Sequence, residues 1–166
     1  AGCIAFSDDG DPVSDPALMR HAMEYASMLN VPIMSHSEDK RLNHGWAMHE
    51  GEVSTLLGLP GYPAAAEEAQ IARDIMLAEH TGAHLHVCHV STAGGVDLIR
   101  EARKRGVHVT AEVTPHHLTL SEYWVLGSMG NYTPQKTAFQ SPQNQQKKRA
   151  THNDQLRSQL WIDPTL

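Results

Sequence analysis

His84-Leu85-His86-Val87-Cys88-His89-Val90 decides the architecture. The run lies between a helix stop at Gly82 and the start of another helix near Gly94, and it reads as one strand too apolar to have a wet face. Upstream, Pro63 opens a helix through Ala65, Ala66, Ala69, Ala72, Ile75 and Met76, which Gly82 closes. Downstream, Gly94 to Arg105 is a helix capped by Gly106, and Val107 to Val113 is a strand ending at Thr114-Pro115-His116-His117. Towards the N-terminus, residues 2–6 form a strand that enters the acidic turn Ser7-Asp8-Asp9-Gly10-Asp11. Asp15 then Pro16 is an N-cap followed by proline at the first helical position, with Leu18, Met19, Ala22, Met23, Ala26 and Leu29 at helical spacing. Val31 to Ser35 is a further short strand, ending in His36-Ser37-Glu38-Asp39. The polar stretch from there to Pro60-Gly61 reads as a long surface loop. The order is β-α-β-α-β-α-β.

Units of this kind argue for an α/β fold with a parallel sheet covered by helices, and both doubly wound sheets and (β/α)8 barrels satisfy the pattern. The strand ends separate the two. Asp8-Asp9, His36, His89 and His116-His117 each follow a different strand, and a barrel gathers the loops after many strands onto one rim, whereas an open sheet uses a crevice between two. A complete barrel takes about 250 residues. The expectation is therefore a partial (β/α)8 TIM barrel of about four consecutive βα units over residues 1–127, the central part of a longer barrel. Residues 128–166 change character, with seven glutamines between Pro134 and Gln159 and a Lys147-Lys148-Arg149 run, and are expected to be a poorly ordered polar tail.

The 166 residues carry 13 Lys and Arg against 19 Asp and Glu, a net charge of -6, and 40% apolar side chains. That is the make-up of one soluble globular domain. No apolar run approaches the ~18–20 residues of a membrane span, and no basic segment precedes an apolar one at the start. Scattered cations give no stripe for phosphates, which disfavours nucleic acid. Cys3 and Cys88 make no disulfide framework, so a reducing cytoplasm is expected. Twelve histidines are the anomaly, since histidine is the commonest metal ligand.

A catalytic zinc site takes three protein ligands and leaves one position open for water. Asp9, His36 and His89 offer such a set. They lie 27 and then 53 residues apart, so only strand-end geometry brings them together. Taken singly, each is as well explained as a loop acid or a hydrogen-bonded histidine. His84 and His86 are the rival pair, because residues at i and i+2 share a strand face. Period two sets Leu85, Val87 and His89 against His84, His86 and Cys88. The Leu-Val-His row, apolar below and polar at its carboxyl end, is expected to point into the barrel, leaving His84, His86 and Cys88 towards the helices.

Five segments are recognisable together: Ala5-Phe6-Ser7-Asp8-Asp9-Gly10, Ser35-His36-Ser37-Glu38-Asp39, Met48-His49-Glu50-Gly51, His86-Val87-Cys88-His89-Val90-Ser91-Thr92 and Ala111-Glu112-Val113-Thr114-Pro115-His116-His117-Leu118. In order and spacing they resemble the middle of bacterial type I dihydroorotases, over about residues 1 to 127. The resemblance implies a metal-dependent amidohydrolase barrel that interconverts N-carbamoyl-L-aspartate and (S)-dihydroorotate in pyrimidine synthesis. It implies two zinc ions per site, with Asp9 bridging them and His36 and His89 holding the second. The family's first-strand His-x-His, its substrate-binding arginine and its proton-shuttling aspartate have no counterpart here, so the chain alone is expected to be inactive. Weak stability or pairing of two halves is expected too. Two other readings stay open. One is a hydantoinase- or allantoinase-like cyclic amidase, disfavoured because those relatives commonly bridge their metals with a carboxylated lysine. The other is a non-catalytic dihydroorotase-like subunit scaffolding aspartate transcarbamoylase. Partners expected on the first reading are the small-molecule substrate, with a homo-oligomer or a transcarbamoylase as possible company.

Overall fold

The computed structural model describes residues 2–42 and 45–131, and side chains up to Leu126; the expected polar tail, residues 128–166, lies almost wholly outside that range. The chain falls into two compact units, residues 1–114 and 115–166. In the first, a four-stranded sheet runs β1 (Phe6–Ser7), β2 (Ile33–Ser35), β5 (Leu85–Val87) and β6 (Val109–Ala111), every neighbour parallel. Helices α1 (Pro16–Leu29), α3 (Ala64–Thr81) and α4 (Ala93–Lys104) make the crossovers. This is the expected partial barrel, with β1 and β6 as its two borders among the described residues. The second unit opens with α5 (Pro115–Thr119), which carries His116 and His117, followed by a 3-10 helix over Glu122–Asn131.

Local chemistry sets the helix ends. Asp15 accepts from the N–H of Ala17 at 2.8 Å, ahead of Pro16. Asn30 closes α1 in the left-handed region at φ 53°, its N–H donating to the Ala26 and Ser27 carbonyls. Thr92 Oγ1 accepts from the Gly95 N–H at 3.0 Å and starts α4.

The core lies between sheet and helices. Met19, Met23 and Ala26 of α1, Ile71, Ile75 and Ala78 of α3, and Ile99 and Ala102 of α4 pack with Ile33, Leu85, Val87 and Val109 of the strands. Leu85 and Val87 are therefore the helix-facing row, with no exposed surface. This reverses the sequence-based orientation: His84, His86 and Cys88 occupy the face away from the helices. The physical reason is that burying apolar area against the amphipathic helices is the main stabilising term, at roughly 25 cal/mol per Å². The apolar row of each strand goes to the helix layer, and polar side chains take the other face.

The stretch expected to be a long surface loop also differs. It contains β3 (Met48–His49), α2 (Glu52–Leu57) and β4 (Gly61–Tyr62), with β3 and β4 parallel. Ser54 Oγ accepts from the Gly51 N–H at 2.8 Å and fixes the start of α2. A Cβ on Gly61 would stand 2.6 Å from Glu50 Cα, so only glycine lets these two strands close.

A carboxyl group sits inside the core. Asp74 of α3 is fully buried, its Oδ1 accepting from Arg73 Nε and Nη2 at 2.9 and 2.7 Å and its Oδ2 from Ser35 Oγ at 2.8 Å. Burial outweighs these partners and raises its pKa above the ordinary 3.8. The folded state then holds this proton more tightly than the unfolded chain. Its contribution is full below about pH 3.8 and is lost as pH rises through the raised value. Urea titrations should show stability falling with pH across that window in the wild type, and Asp74→Asn should remove that component of the slope.

Candidate metal centre

His36 follows β2 directly, and three groups fix it. Its backbone N–H donates to both carboxylate oxygens of Asp8, at 3.0 and 2.9 Å, which ties the end of β2 to the turn after β1. Its ring Nε2 lies 3.1 Å from Glu38 Oε2. Its ring Nδ1 lies 2.9 Å from His89 Nε2, the two rings meeting edge to face with centroids 4.7 Å apart. An ionised carboxylate only accepts, so Nε2 of His36 donates to Glu38, and in the neutral ring Nδ1 keeps its lone pair turned towards His89. That tautomer is the one a ligand through Nδ1 requires.

His89 reaches this place through a fault in the ladder. The Glu112 N–H donates to the Val87 carbonyl at 3.0 Å, as regular parallel pairing demands, but the Glu112 carbonyl receives the N–H of Val90 at 2.9 Å instead of that of His89. One residue is extra: Cys88 and His89 together stand opposite Glu112, a β-bulge. His89 has φ 37°, in the left-handed region. Strict period two would have sent its ring to the helix side with Leu85 and Val87; the bulge turns it to His36 and returns Val90, 1% exposed, to the core. Behind it, Glu67 Oε1 accepts the Ser91 N–H at 2.8 Å. Glu67 is 5% exposed, and burial raises its carboxyl pKa. Nothing local to Glu67 in the sequence signals a bond 24 residues away.

Asp9 occupies the exposed turn after β1 with φ 50°, its N–H donating to Ser7 Oγ at 3.0 Å. The structure brings His36 and His89 together and leaves the Asp9 carboxylate outside any group of three metal-capable side chains among the described residues. Asp9 and His89 are nevertheless two of only three non-glycine residues with positive φ among those described, and the third, Asn30, is a helix cap. Backbone in that region costs on the order of 1–3 kcal/mol and concentrates at functional sites.

Two residues missed from sequence surround the pair. Asp8, read as a turn acid, anchors His36, and Glu38 orients its ring; the i, i+2 spacing of His36 and Glu38 was the available signal for the second. Tyr62 of β4 has its phenol pushed up to about 12 by burial, then by the charges of Glu38 and Glu67. On the same face of the sheet, burial lowers the pKa of His84, with His108 stacked on it at 3.9 Å and His86 adding repulsion.

Known proteins resemble the chain in sequence and in fold. A sequence profile described as dihydro-orotase-like matches residues 1–94. The chain belongs to that family. A dihydroorotase of Pelotomaculum thermopropionicum is 62% identical over 127 residues, 76% of this chain and 30% of the relative. One from Syntrophus aciditrophicus is 59% identical over 122 residues, covering 74% and 29% of the two chains. The chain thus spans about 30% of the length of its dihydroorotase relatives. Among solved structures, a D-hydantoinase superposes with TM-score 0.58 at 22% identity, over 76% of this chain and 29% of that one. The L-hydantoinase of Arthrobacter aurescens does so with TM-score 0.56 at 20% identity, over 79% and 30%. At such identities the hydantoinases share the fold. The dihydro-orotase-like chain has no described helix long and apolar enough to cross a membrane.

Cys88, half-buried beside this centre, has its thiol pushed up to about 11, first by burial and then by the charges of Glu112 and Asp8. At pH 8 only about one such thiol in a thousand is ionised. Without added metal, iodoacetamide should therefore label exposed Cys3 at least tenfold faster than Cys88, as peptide mass mapping over time will show.

Proposed function

We propose that this chain is the metal-holding middle of a zinc-dependent dihydroorotase, which opens and closes the cyclic amide between (S)-dihydroorotate and N-carbamoyl-L-aspartate in the cytoplasm. The observation that carries the reading is the His36 Nδ1 to His89 Nε2 approach of 2.9 Å between imidazoles from two neighbouring strands. Two nitrogens bound tetrahedrally to one zinc at about 2.0–2.1 Å stand roughly 3.3–3.4 Å apart. A small rotation of either ring opens the present contact to that span, and moving the His89 Nε2 proton to its Nδ1 frees the second lone pair, so the donor set fits. Asp9 is the third ligand on this reading, and its exposed turn is free of the core that holds the two histidines. A bound zinc supplies Lewis acidity at the amide carbonyl and lowers the pKa of water.

The chain's own groups prepare that chemistry. Glu38 retains the Nε2 proton of His36 and so presents the Nδ1 lone pair to the centre. Asp8 holds the His36 backbone, and Glu67 pins the turn that follows the bulge. The hydantoinase folds fit as relatives. What disfavours the cyclic amidase alternative is that the Ser7-Asp8-Asp9-Gly10 turn offers aspartates, whereas a carboxylated lysine is the bridge expected of those relatives.

Zinc analysis of the purified chain tests this. His36→Ala, His89→Ala and Asp9→Ala should each remove about one zinc per chain while far-ultraviolet circular dichroism stays unchanged; equal zinc in all three and the wild type overturns the assignment. The zinc-loaded chain by itself should hydrolyse dihydroorotate no faster than buffer does. Transplanted into the matching segment of the Pelotomaculum enzyme, residues 1–127 should sustain turnover, and His89→Ala in that chimera should cut it at least a thousandfold.

A further inference from the structure

Below the His36–His89 pair, on the face of the sheet away from the helices, a second set of donors converges. His86 pairs in register with Thr110, and the two bonds from Glu112 to Val87 and Val90 carry the ladder on, so Cys88 and Glu112 become neighbours on one face. One ligand atom from each of His86, Cys88 and Glu112 lies within 4.8 Å of the others, the sole such trio among the described residues. His86 Nε2 stands 3.5 Å from Glu112 Oε2. Its other nitrogen, Nδ1, is 2.8 Å from Thr110 Oγ1. The hydroxyl thus holds the ring by the atom a metal would not use, the outer-shell arrangement that fixes ligating histidines. Thr110 Oγ1 is itself 3.0 Å from His84 Nε2, which steadies it from the other side.

We propose that His86, Cys88 and Glu112 form a second metal site, for zinc or another thiophilic divalent ion, distinct from the centre at Asp9, His36 and His89. One nitrogen, one sulfur and one oxygen donor with a fourth position open suits zinc and disfavours magnesium and calcium, which take oxygen ligands at higher coordination. Ligand atoms around tetrahedral zinc stand roughly 3.3–3.8 Å apart. The trio therefore needs to contract by about 1.5 Å at most, within the reach of side-chain rotation at Glu112, whose side chain is 51% exposed. Cobalt or zinc at this point deprotonates a coordinating thiol outright.

Sulfur makes the site separable from the first one. Titrating the full chain with Co2+ should give a near-ultraviolet sulfur-to-cobalt charge-transfer band, and zinc absorption spectroscopy should show a sulfur neighbour at about 2.3 Å. Cys88→Ser should abolish both signals. Cys3→Ser, His36→Ala and His89→Ala should leave them, while His86→Gln and Glu112→Gln should weaken cobalt affinity at least tenfold. No band in the wild type, a band that survives Cys88→Ser, or one that disappears with His89→Ala overturns the proposal. So does unchanged affinity in both His86→Gln and Glu112→Gln, which would leave these residues as an ordinary hydrogen-bonded patch.

Discussion

Packing of one apolar strand row against three helices governs the first unit. Leu85 and Val87, with Ile33 and Val109 beside them, close against Met19, Met23, Ile71, Ile75 and Ile99. The choice of face for the apolar row also chooses the face for everything else. Because side chains alternate, His86, Thr110 and Met34 must lie opposite the helices, and the chemistry of that surface is a by-product of core formation. The exception inside the core, Asp74, is admitted only with Ser35 and Arg73 to meet its oxygens.

The histidine pair needs a departure from that alternation. His36 is on the far face by ordinary period two, since Ile33 and Ser35 look towards the helices. His89, three residues beyond His86, would not be. The additional residue opposite Glu112 rotates it into range, at the cost of a left-handed backbone that histidine tolerates better than a branched side chain would. Glu38 and Asp8 then complete the surroundings from segments only two residues away along the chain and one strand away across the sheet.

Much of this was legible in the residue order. Pro16 after Asp15, Gly82, and the spacing of Met19, Met23 and Ala26 placed the helices, because caps and periodicity are local physics. The parallel sheet and the meeting of His36 with His89 followed from strand-end logic. The orientation of the row differs from the sequence expectation because a single period over 84–90 ties Leu85 and Val87 to the side of His89, and a bulge between them leaves no mark in composition. The unit β3–α2–β4 was hidden since its strands are two residues each and its hydrogen-bonding partners, Ala47 with Pro60 and Glu50 with Tyr62, lie a dozen residues apart. The burial of Glu67 and Asp74 has no local mark in the sequence, and only tertiary packing reveals it.

The bulge has an implication for how such a centre is built. Val90 already takes the ladder bond that an unbulged strand would give to residue 89, and it already lies in the core. The one residue inserted ahead of Val90 therefore changes the direction of a side chain without breaking the ladder bond that follows it. The imidazole owes its place to a single supernumerary residue, and the hydrocarbon packing on either side of it is indifferent to where that ring points.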